Sequence, residues 1–333
     1  MEALANSCYA FRMKRVLSGI QPSGQPHLGN FLGAMQRHVA HQETFESFIF
    51  LANYHAITTL RDGVELRKLT RDLAIDYLAI GLDPNKTTLF RQSDVPEHLE
   101  LMWILSCLTP MGLLERCHAW KDAQAKGKKD ATAGLFNYPV LMAADILIYQ
   151  PDLVPVGKDQ KQHVEVARDL AGTFNHVYGE TFKLPEPNIP ETVATIPGID
   201  GQKMSKSYGN TITLFGTDAE LKKQVMSIVT DSTPMEAPKN PDTCHVFQLY
   251  KHVASKEEIA TLNARYKAGG IGYGESKKLL LEKLHEILDP YREKRVELEG
   301  KLDYVEEVLF EGANRARAIA RKTLETVRKK VGL

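Results

Sequence analysis

The chain has 333 residues with 42 basic and 42 acidic side chains, so its formal net charge is zero. Hydrophobic residues make up 43% and charged residues 25%, which is typical of a globular protein with one large or two modest domains. A neutral chain offers no global field to a polyanion, so nucleic-acid binding would depend on local basic clusters. No apolar run approaches the roughly 20 residues of a membrane helix, and we expect no membrane interaction.

The beginning of the chain and its cysteines carry little signal. Residues 1–14 lack the continuous apolar stretch of a secretory signal, so we predict a disordered leader. Cys8, Cys107, Cys117 and Cys244 include no Cys-x-x-Cys pair, which favours free thiols over a metal centre. This cysteine usage predicts a cytoplasmic protein without a metal site of its own.

Predicted strands and helices alternate over the first half of the chain, a pattern typical of an α/β domain with a parallel sheet. The segment 47–52 is almost continuously apolar, as expected for a strand buried on both faces. We predict strands over 15–20, 47–52, 88–90 and 152–157, and helices from Leu28 onward and over 64–80 and 161–174.

The pattern becomes helical after Asn210. We therefore predict a Rossmann-like parallel-sheet catalytic domain over 15–210, followed by a mostly α-helical C-terminal domain over 211–333. The predicted helices of the second part cover 221–229, 259–266, 276–288, 290–298 and 304–331.

The motif Pro22-Ser23-Gly24-Gln25-Pro26-His27-Leu28-Gly29-Asn30 lies where the first predicted strand turns into a helix. Backbone N–H groups and a helix N-terminus then point at one place, which is a ready anion site. His27 and Asn30 can contact phosphate or ribose without ionising. The alternative is an ordinary strand-to-helix turn with a capping residue.

A second motif, Lys203-Met204-Ser205-Lys206-Ser207, lies on a stretch bounded by glycines. A basic loop of this kind can close over the β- and γ-phosphates and neutralise the departing pyrophosphate. The alternative is a solvated basic loop. In this order and at this separation, the two motifs predict the two halves of one ATP site.

Asp145 is the single carboxylate in an apolar helical stretch, 138–147. A buried, unpaired carboxylate costs several kcal/mol, so Asp145 should have a specific partner. It can be a salt-bridged or capping residue, or it can accept a hydrogen from an otherwise apolar ligand such as an indole N–H.

Polar residues follow the predicted strand at 152–157, at the sheet edge where ligands bind in open α/β folds. The Gly157 backbone and the Asp159 side chain could hold a ribose, and Gln160 could hold an amino-acid ammonium group. Lys158 is equally plausible as a solvated residue.

Several strings together resemble the bacterial-type tryptophanyl-tRNA synthetase family, one of the class I aminoacyl-tRNA synthetases. The resemblance covers residues 16–333, and its motifs occur in the family's order. The strings are 18–24, 53–58, 138–147, 154–163, 203–207 and 230–232.

The resemblance implies a tryptophan–tRNA ligase. L-tryptophan and ATP, with Mg²⁺ carried on the ATP, form tryptophanyl-adenylate and pyrophosphate, and tryptophan then moves to tRNA(Trp). A homodimer and a helical anticodon-binding domain are also implied.

The site residues that the resemblance implies form three overlapping sets. The catalytic set is Lys203, Lys206, His27, Asn30 and Gln21. The ATP-binding set is Gln21, Pro22, Ser23, Gly29, Asn30, Gly157, Lys158, Asp159, Ile196, Lys203, Met204, Ser205, Lys206 and Ser207. The tryptophan-binding set is Asp145, against the indole N–H, with Tyr138, Met142, His55 and Gln160.

Two positions depart from the general pattern. Asn30 replaces the last histidine of the first motif, which is common in the tryptophanyl branch. The family usually has a lysine where this chain has Ala123, so Lys121 or Lys126 could take over that phosphate contact.

Three alternatives remain open at this stage. A tyrosyl-tRNA synthetase shares the fold, the ATP motifs and an aspartate in the amino-acid pocket. A tRNA-independent nucleotidyltransferase would not need the long helical half. A non-catalytic RNA-binding paralogue would be expected to lose the lysines of the second motif.

Two surfaces are also open to two interpretations. The apolar stretch 101–105 is either core or a dimer contact. The basic residues of the last predicted helix form either a solvated face or a contact with the tRNA backbone. They are Arg315, Arg317, Arg321, Lys322, Arg328, Lys329 and Lys330.

Overall fold

A computed structural model describes residues 13–127, 131–157, 160–188 and 196–333. The leader predicted over 1–14 therefore lies almost entirely outside the described residues. Three parallel strands form the central sheet in the order β1 (Arg15–Ile20), β2 (Glu46–Leu51) and β3 (Thr87–Arg91). A two-residue strand, β4 (Val154–Pro155), pairs with β5 (Pro187–Asn188), and a bridge from Leu153 to Val16 joins that pair to β1.

Strand β2 separates two hydrophobic clusters, because alternate side chains point to opposite faces of a sheet. Ile49 and Leu51 belong to one cluster, with the first helices and the helical half of the chain. Phe48 and Phe50 belong to the other, with the helices that follow β3. The prediction of a strand buried on both faces is confirmed.

Helices cover both faces of the sheet and form most of the remaining chain. In the first half they are α1 (Leu28–Asn30), α2 (Gln36–His41), α3 (Asn53–Ala56), α4 (Gly63–Ala79), α5 (Glu97–Ser106), α6 (Met111–Glu115), α7 (His118–Ala125), α8 (Ala133–Leu147) and α9 (Lys161–Tyr178). A π-helical turn, Phe31–Met35, joins α1 to α2, and 3₁₀ turns cover Gln92–Asp94 and Lys206–Tyr208. The second half contains α10 (Asp218–Met226), α11 (His245–Tyr250), α12 (Lys256–Ala268), α13 (Tyr273–Glu299) and α14 (Leu302–Val331).

The predicted fold class, a parallel α/β sheet followed by a helical half, is confirmed. Two local predictions differ from the structure. The strand predicted over 152–157 is only two residues long, and the helices predicted over 276–288 and 290–298 are one helix, α13, with Pro290 inside it. Proline removes a single backbone bond, and burial of Leu284, Leu288 and Leu298 holds the helix on both sides of it.

The last helix returns to the first half of the chain. α14 packs along β3, where a Cβ atom on Gly312 would lie 1.8 Å from the Leu89 carbonyl oxygen. Only a glycine allows this approach of helix and strand. The two predicted domains are therefore in direct contact, while the boundary between them stays a prediction.

The basic side chains of α14 mostly bind the rest of the molecule. Arg317 and Arg321 both donate to a Glu97 carboxylate oxygen, and Arg328 pairs with Glu100, so three of these arginines dock α14 on α5. Their side chains stay partly exposed, so the contact with the tRNA backbone stays a prediction. In addition, Arg315 donates to the carbonyls of Pro84 and Thr87, and Lys330 to that of Glu180.

Within the residues that the structure describes, no helix combines the length and the apolar character needed to cross a bilayer.

Candidate active site

The carboxyl ends of β1 and β2 open into a cleft of about 1020 Å³. This is the edge at which open α/β sheets bind their ligands. Elements far apart in the sequence contribute its walls, and many of the predicted site residues lie there. They are Gln21, Ser23, Gly29, Asn30, His55, Tyr138, Met142, Asp145, Gly157, Gln160, Lys203 and Lys206.

His27 is the N-cap of α1. Its Nδ1 accepts the N–H of Asn30 at 3.2 Å, and the N–H of His27 donates to the Asn30 side-chain oxygen at 3.1 Å. The two motif residues therefore cap each other, each accepting the backbone N–H of the other. Because Nδ1 accepts, the neutral ring carries its hydrogen on Nε2.

Burial, and then the nearby Lys206 ammonium group, lower the pKa of His27 to about 4. Both causes disfavour the imidazolium form. At neutral pH His27 is therefore an uncharged cap and an uncharged donor.

The second motif lies directly on the first. The Lys206 ammonium group donates to the Ser23 carbonyl at 3.0 Å, and the Gly29 N–H donates to the Met204 sulfur at 3.3 Å. Partial burial lowers the pKa of Lys206 from its ordinary value. Both lysines line the cleft, so their charge and the N-terminal end of α1 meet in one place.

Backbone pairing brings these motifs together. The Leu28 N–H donates to the Ile212 carbonyl at 2.8 Å, and the Leu214 N–H donates to the Pro26 carbonyl at 3.1 Å. The chain that leaves the second motif is therefore hydrogen-bonded to the chain that enters α1. Backbone bonds of this kind fix the relative position of the two motifs without depending on motif side chains.

Asn210 holds the second motif in shape and was not predicted. Its buried side chain accepts the Ser205 N–H at 2.8 Å and donates to the Lys203 carbonyl at 3.1 Å and to Asp200 at 2.8 Å. One amide thus fixes both ends of the Lys203–Ser205 segment. Sequence offers no signal for it beyond a Gly-Asn dipeptide that is common in turns.

Asp145 is completely buried and is surrounded by donors. Gln92 Nε2 donates to both carboxylate oxygens, at 2.8 and 2.9 Å, His55 Nε2 donates at 2.8 Å, and His98 Nδ1 donates from the other side. Burial raises the pKa of Asp145, but the hydrogen bonds from His55 and His98 outweigh it and hold the pKa at about 2. The predicted partners therefore exist, and Gln92 and His98 are members of the site that sequence reasoning missed.

Tyr138 is fixed by a short chain of hydrogen bonds. Its hydroxyl lies 2.6 Å from His163 Nε2, and His163 Nδ1 lies 2.8 Å from the side-chain oxygen of Gln160. Because that oxygen only accepts, His163 donates from Nδ1 and accepts the tyrosine hydrogen at Nε2. Burial raises the pKa of Tyr138 to about 12, so the phenol stays protonated and can donate.

Several predicted residues do not line the cleft. Pro22 and Ile196 are buried, and the Ile196 carbonyl accepts the Met204 N–H at 2.9 Å. Met204 and His27 instead make the hydrogen bonds to Gly29 and Asn30 described above. The hydroxyls of Ser205 and Ser207 are hydrogen-bonded to each other at 2.9 Å. Lys158 and Asp159 lie outside the described residues.

Comparison with known proteins agrees with this geometry. The family model described as tRNA synthetases class I (W and Y) matches residues 12–289. A tryptophan–tRNA ligase from Rhodopirellula baltica is 55% identical over 96% of this chain and 99% of its own length, and one from Fusobacterium nucleatum is 54% identical over 96% and 98%. The chain belongs to the tryptophan–tRNA ligase family. The interpretation as a tyrosyl-tRNA synthetase is set aside.

A solved member of the family has the same fold. The crystal structure of tryptophanyl-tRNA synthetase from Campylobacter jejuni complexed with ADP and tryptophan superposes with a TM-score of 0.92. It is 48% identical to this chain, covering 96% of it and 100% of the crystallised chain. The resemblance inferred from the motifs is thereby confirmed.

The structure is consistent with an alanine at position 123, where the family usually has a lysine. Ala123 is buried in the packing of α7, so a long charged side chain would not fit there without rearrangement. α7 contributes Ala119 to the cleft, whereas Lys121 and Lys126 are exposed and do not line it. Which lysine makes the phosphate contact stays a prediction.

Proposed function

We propose that this chain activates L-tryptophan with Mg-ATP in the cleft and then transfers the tryptophanyl group to tRNA(Trp). The observation that carries this proposal is the composition of a single cleft. Lys203, Lys206 and the start of α1 line one part of it, and Asp145 with Tyr138 and Met142 lines another. A site for a polyanion and a site for an apolar ligand with one polar hydrogen thus share one space.

The chemistry needs no proton removal by the protein. The tryptophan carboxylate attacks the α-phosphorus of ATP, an oxygen–phosphorus bond forms, and the bond to the β-phosphate oxygen breaks to release pyrophosphate. Negative charge grows on the leaving group, so Lys203, Lys206 and the Mg²⁺ that arrives with ATP would stabilise the transition state. Asn30, Gln21 and His27 would act by orienting ATP, which is the second source of acceleration.

Binding roles follow from chemistry and position. Ser23, Gly29 and Gly157, with the loop of the second motif, would hold ATP, as would Lys158 and Asp159. Ile196 would contribute through its hydrogen bond to Met204 in that loop. Asp145 would accept the indole N–H, His55 and Met142 would contact the ring, and Tyr138 with Gln160 would face the amino-acid backbone.

We also propose a cytoplasmic homodimer. Leu99 and Trp103 lie one turn apart on α5 and are exposed, Trp103 by 71%, and Met111 on α6 is exposed by 63%. An exposed group of large apolar side chains marks an interaction site, and the family has a dimer contact near this segment. The helical half, 211–333, would contact the anticodon region of the tRNA.

The first experiment is ATP–pyrophosphate exchange with tryptophan and with tyrosine in parallel, followed by charging of tRNA(Trp). Exchange with tryptophan alone and charging of the tRNA are expected. Exchange with tyrosine would overturn the substrate. Exchange without charging would identify a tRNA-independent nucleotidyltransferase, and no exchange with either amino acid would point to the RNA-binding paralogue.

A further inference from the structure

The acceptor capacity of Asp145 is fully used. A carboxylate offers about four lone-pair positions on two oxygens. Oδ1 receives Gln92 and His98, and Oδ2 receives Gln92 and His55. Asp145 borders the cleft, but its carboxylate has no exposed surface, so a ligand can bond to it only by taking the place of one of these donors.

Two of the donors are held in place by further bonds. Gln92 is fully buried, and its side-chain oxygen accepts the Tyr54 N–H at 3.0 Å. His98 is fully buried, and its Nε2 lies 2.7 Å from the hydroxyl of Tyr149, which is itself buried. Displacing either donor would leave a second buried polar group without a partner, which is costly.

The aromatic rings around His98 restrict it further. Its ring packs edge to face against Phe50, Phe90 and Tyr149, with centroids 5.4 to 6.3 Å away. Because the carboxylate can only accept, His98 Nδ1 must carry a hydrogen, and the neutral ring then accepts the Tyr149 hydrogen at Nε2. The tautomer of His98 is thus set from both sides.

His55 differs from Gln92 and His98 in its exposure to the cleft and in how its ring is held. It is the only one of the three that lines the cleft, and its side chain is 13% exposed. Its ring makes no second hydrogen bond to any residue that the structure describes. It belongs to α3, a helix of four residues, and touches the Tyr138 ring edge to face at 6.1 Å.

We propose that Gln92 and His98 are positioning residues that hold the Asp145 carboxylate, and that His55 is an exchangeable donor whose place on Oδ2 the indole N–H of tryptophan takes. This inference rests on the proposed tryptophan site and deepens it. In the empty protein His55 keeps the carboxylate paired. On binding, one N–H donor replaces another, so a buried charge is never left bare.

The exchange has a consequence for specificity. A ligand that lacks the N–H offers Oδ2 no replacement donor. It would lie further from the carboxylate and leave His55 bonded to Asp145, so the full cost of an unpaired oxygen would not arise. If His55 could not donate, the same ligand would leave that oxygen bare. Removing the donor from residue 55 should therefore increase the discrimination in favour of tryptophan.

The test compares L-tryptophan with 3-(benzothiophen-3-yl)-L-alanine, in which sulfur replaces the N–H, in ATP–pyrophosphate exchange by the full chain. For His55→Leu we expect the ratio of the two kcat/KM values to rise about tenfold over wild type. Gln92→Met removes the donor while keeping a side chain of similar volume. For this variant we expect the ratio of the two kcat/KM values to fall about tenfold, mainly through a higher KM for tryptophan. An unchanged ratio in either variant would overturn the role assigned to that residue.

A second measurement on the unmodified protein does not depend on variant folding. With ¹⁵N-labelled histidine, the His55 Nε2 resonance, assigned by its loss in His55→Leu, should shift when tryptophan is added and stay in place with the benzothiophene analogue. An equal response to both ligands would overturn the exchange. If Gln92→Met does not fold, His98→Phe, whose ring suits its aromatic surroundings, tests the same support of the carboxylate.

Failure of the inference and failure of the proposed function give different results. Wild-type exchange with tryptophan, combined with unchanged discrimination in His55→Leu, would overturn the inference alone. Absence of any tryptophan-dependent exchange in wild type would overturn the proposed function and the inference with it.

Discussion

The Lys206 ammonium group lies at the contact between the two ATP motifs, hydrogen-bonded to the Ser23 carbonyl. We expect Lys206→Ala to lower the rate of tryptophanyl-adenylate formation on the order of a hundredfold or more, since it removes the proposed donor to the departing pyrophosphate. Single-turnover adenylate formation measures this. The exposed Lys222→Ala on α10 is the matched control and should keep the wild-type rate. Equal rates for the two variants would exclude Lys206 from the mechanism.

His27 makes folding stability depend on pH. Its pKa is about 4 in the folded protein against an ordinary value of 6.5, so protons bind more tightly to the unfolded chain. The free energy of unfolding keeps its full contribution from neutral His27 above about pH 6.5 and loses it as the pH falls towards 4. At pH 5 the loss is about 2 kcal/mol.

His27→Asn should remove this part of the pH dependence while keeping a good N-cap residue. Urea unfolding at pH 7.5 and pH 5.0 measures the difference in each protein. His38, whose pKa burial lowers to about 3, is present in both and contributes equally. A variant with the full wild-type loss of stability at pH 5 would show that His27 is not the group that titrates.

At the scale of elements, the loop of the second motif depends on a residue outside the motif. Asn210→Ala would release Ser205 and Lys203 from their shared anchor. We expect adenylate formation to slow about tenfold or more through misplaced lysines, with little change in the KM for tryptophan. Asn240→Ala, which removes an asparagine from an exposed turn, serves as the control. A wild-type rate in Asn210→Ala would show that the loop keeps its shape without this amide.

Two glycines in helices should respond to alanine substitution in opposite directions, because only one of them is packed against a strand. Gly312→Ala would place a methyl group against the Leu89 carbonyl and should destabilise the fold by about 1–3 kcal/mol. Gly172→Ala on α9, where a Cβ meets nothing within 4 Å, should stabilise it by about 0.5–1 kcal/mol. Chemical denaturation measures both, and a neutral Gly312→Ala would mean that α14 can move away from the strand.

At the scale of the whole molecule, the exposed side of α5 and α6 bears on the oligomeric state. Trp103→Glu would place a charge in the middle of the proposed dimer contact. We expect sedimentation equilibrium to show a dimer for the wild-type protein and a monomer for the variant. Lys68→Glu, a charge change on the exposed side of α4, is the control and should remain dimeric. A wild-type monomer would contradict the homodimer.

Much of the site could be predicted because its motifs are local. The strand before Gln21, the capped helix after His27 and the run from Lys203 to Ser207 each occupy a few consecutive residues. A general rule could have predicted Gln92 as a site residue, because it directly follows β3 at the sheet edge where ligands bind. His98 and Asn210 were not, since only their positions in the folded chain give them partners.

The sequence by itself determined the three strands of the central sheet, the helical half and the family, because hydrophobic period and short motifs are properties of neighbouring residues. Only the tertiary structure decided that Gly29 meets Met204, 175 residues away, and that three donors surround Asp145. It also decided that the arginines of α14 serve as anchors on α5. Such contacts depend on which buried faces pack together, and packing between distant segments leaves no periodic trace in the sequence.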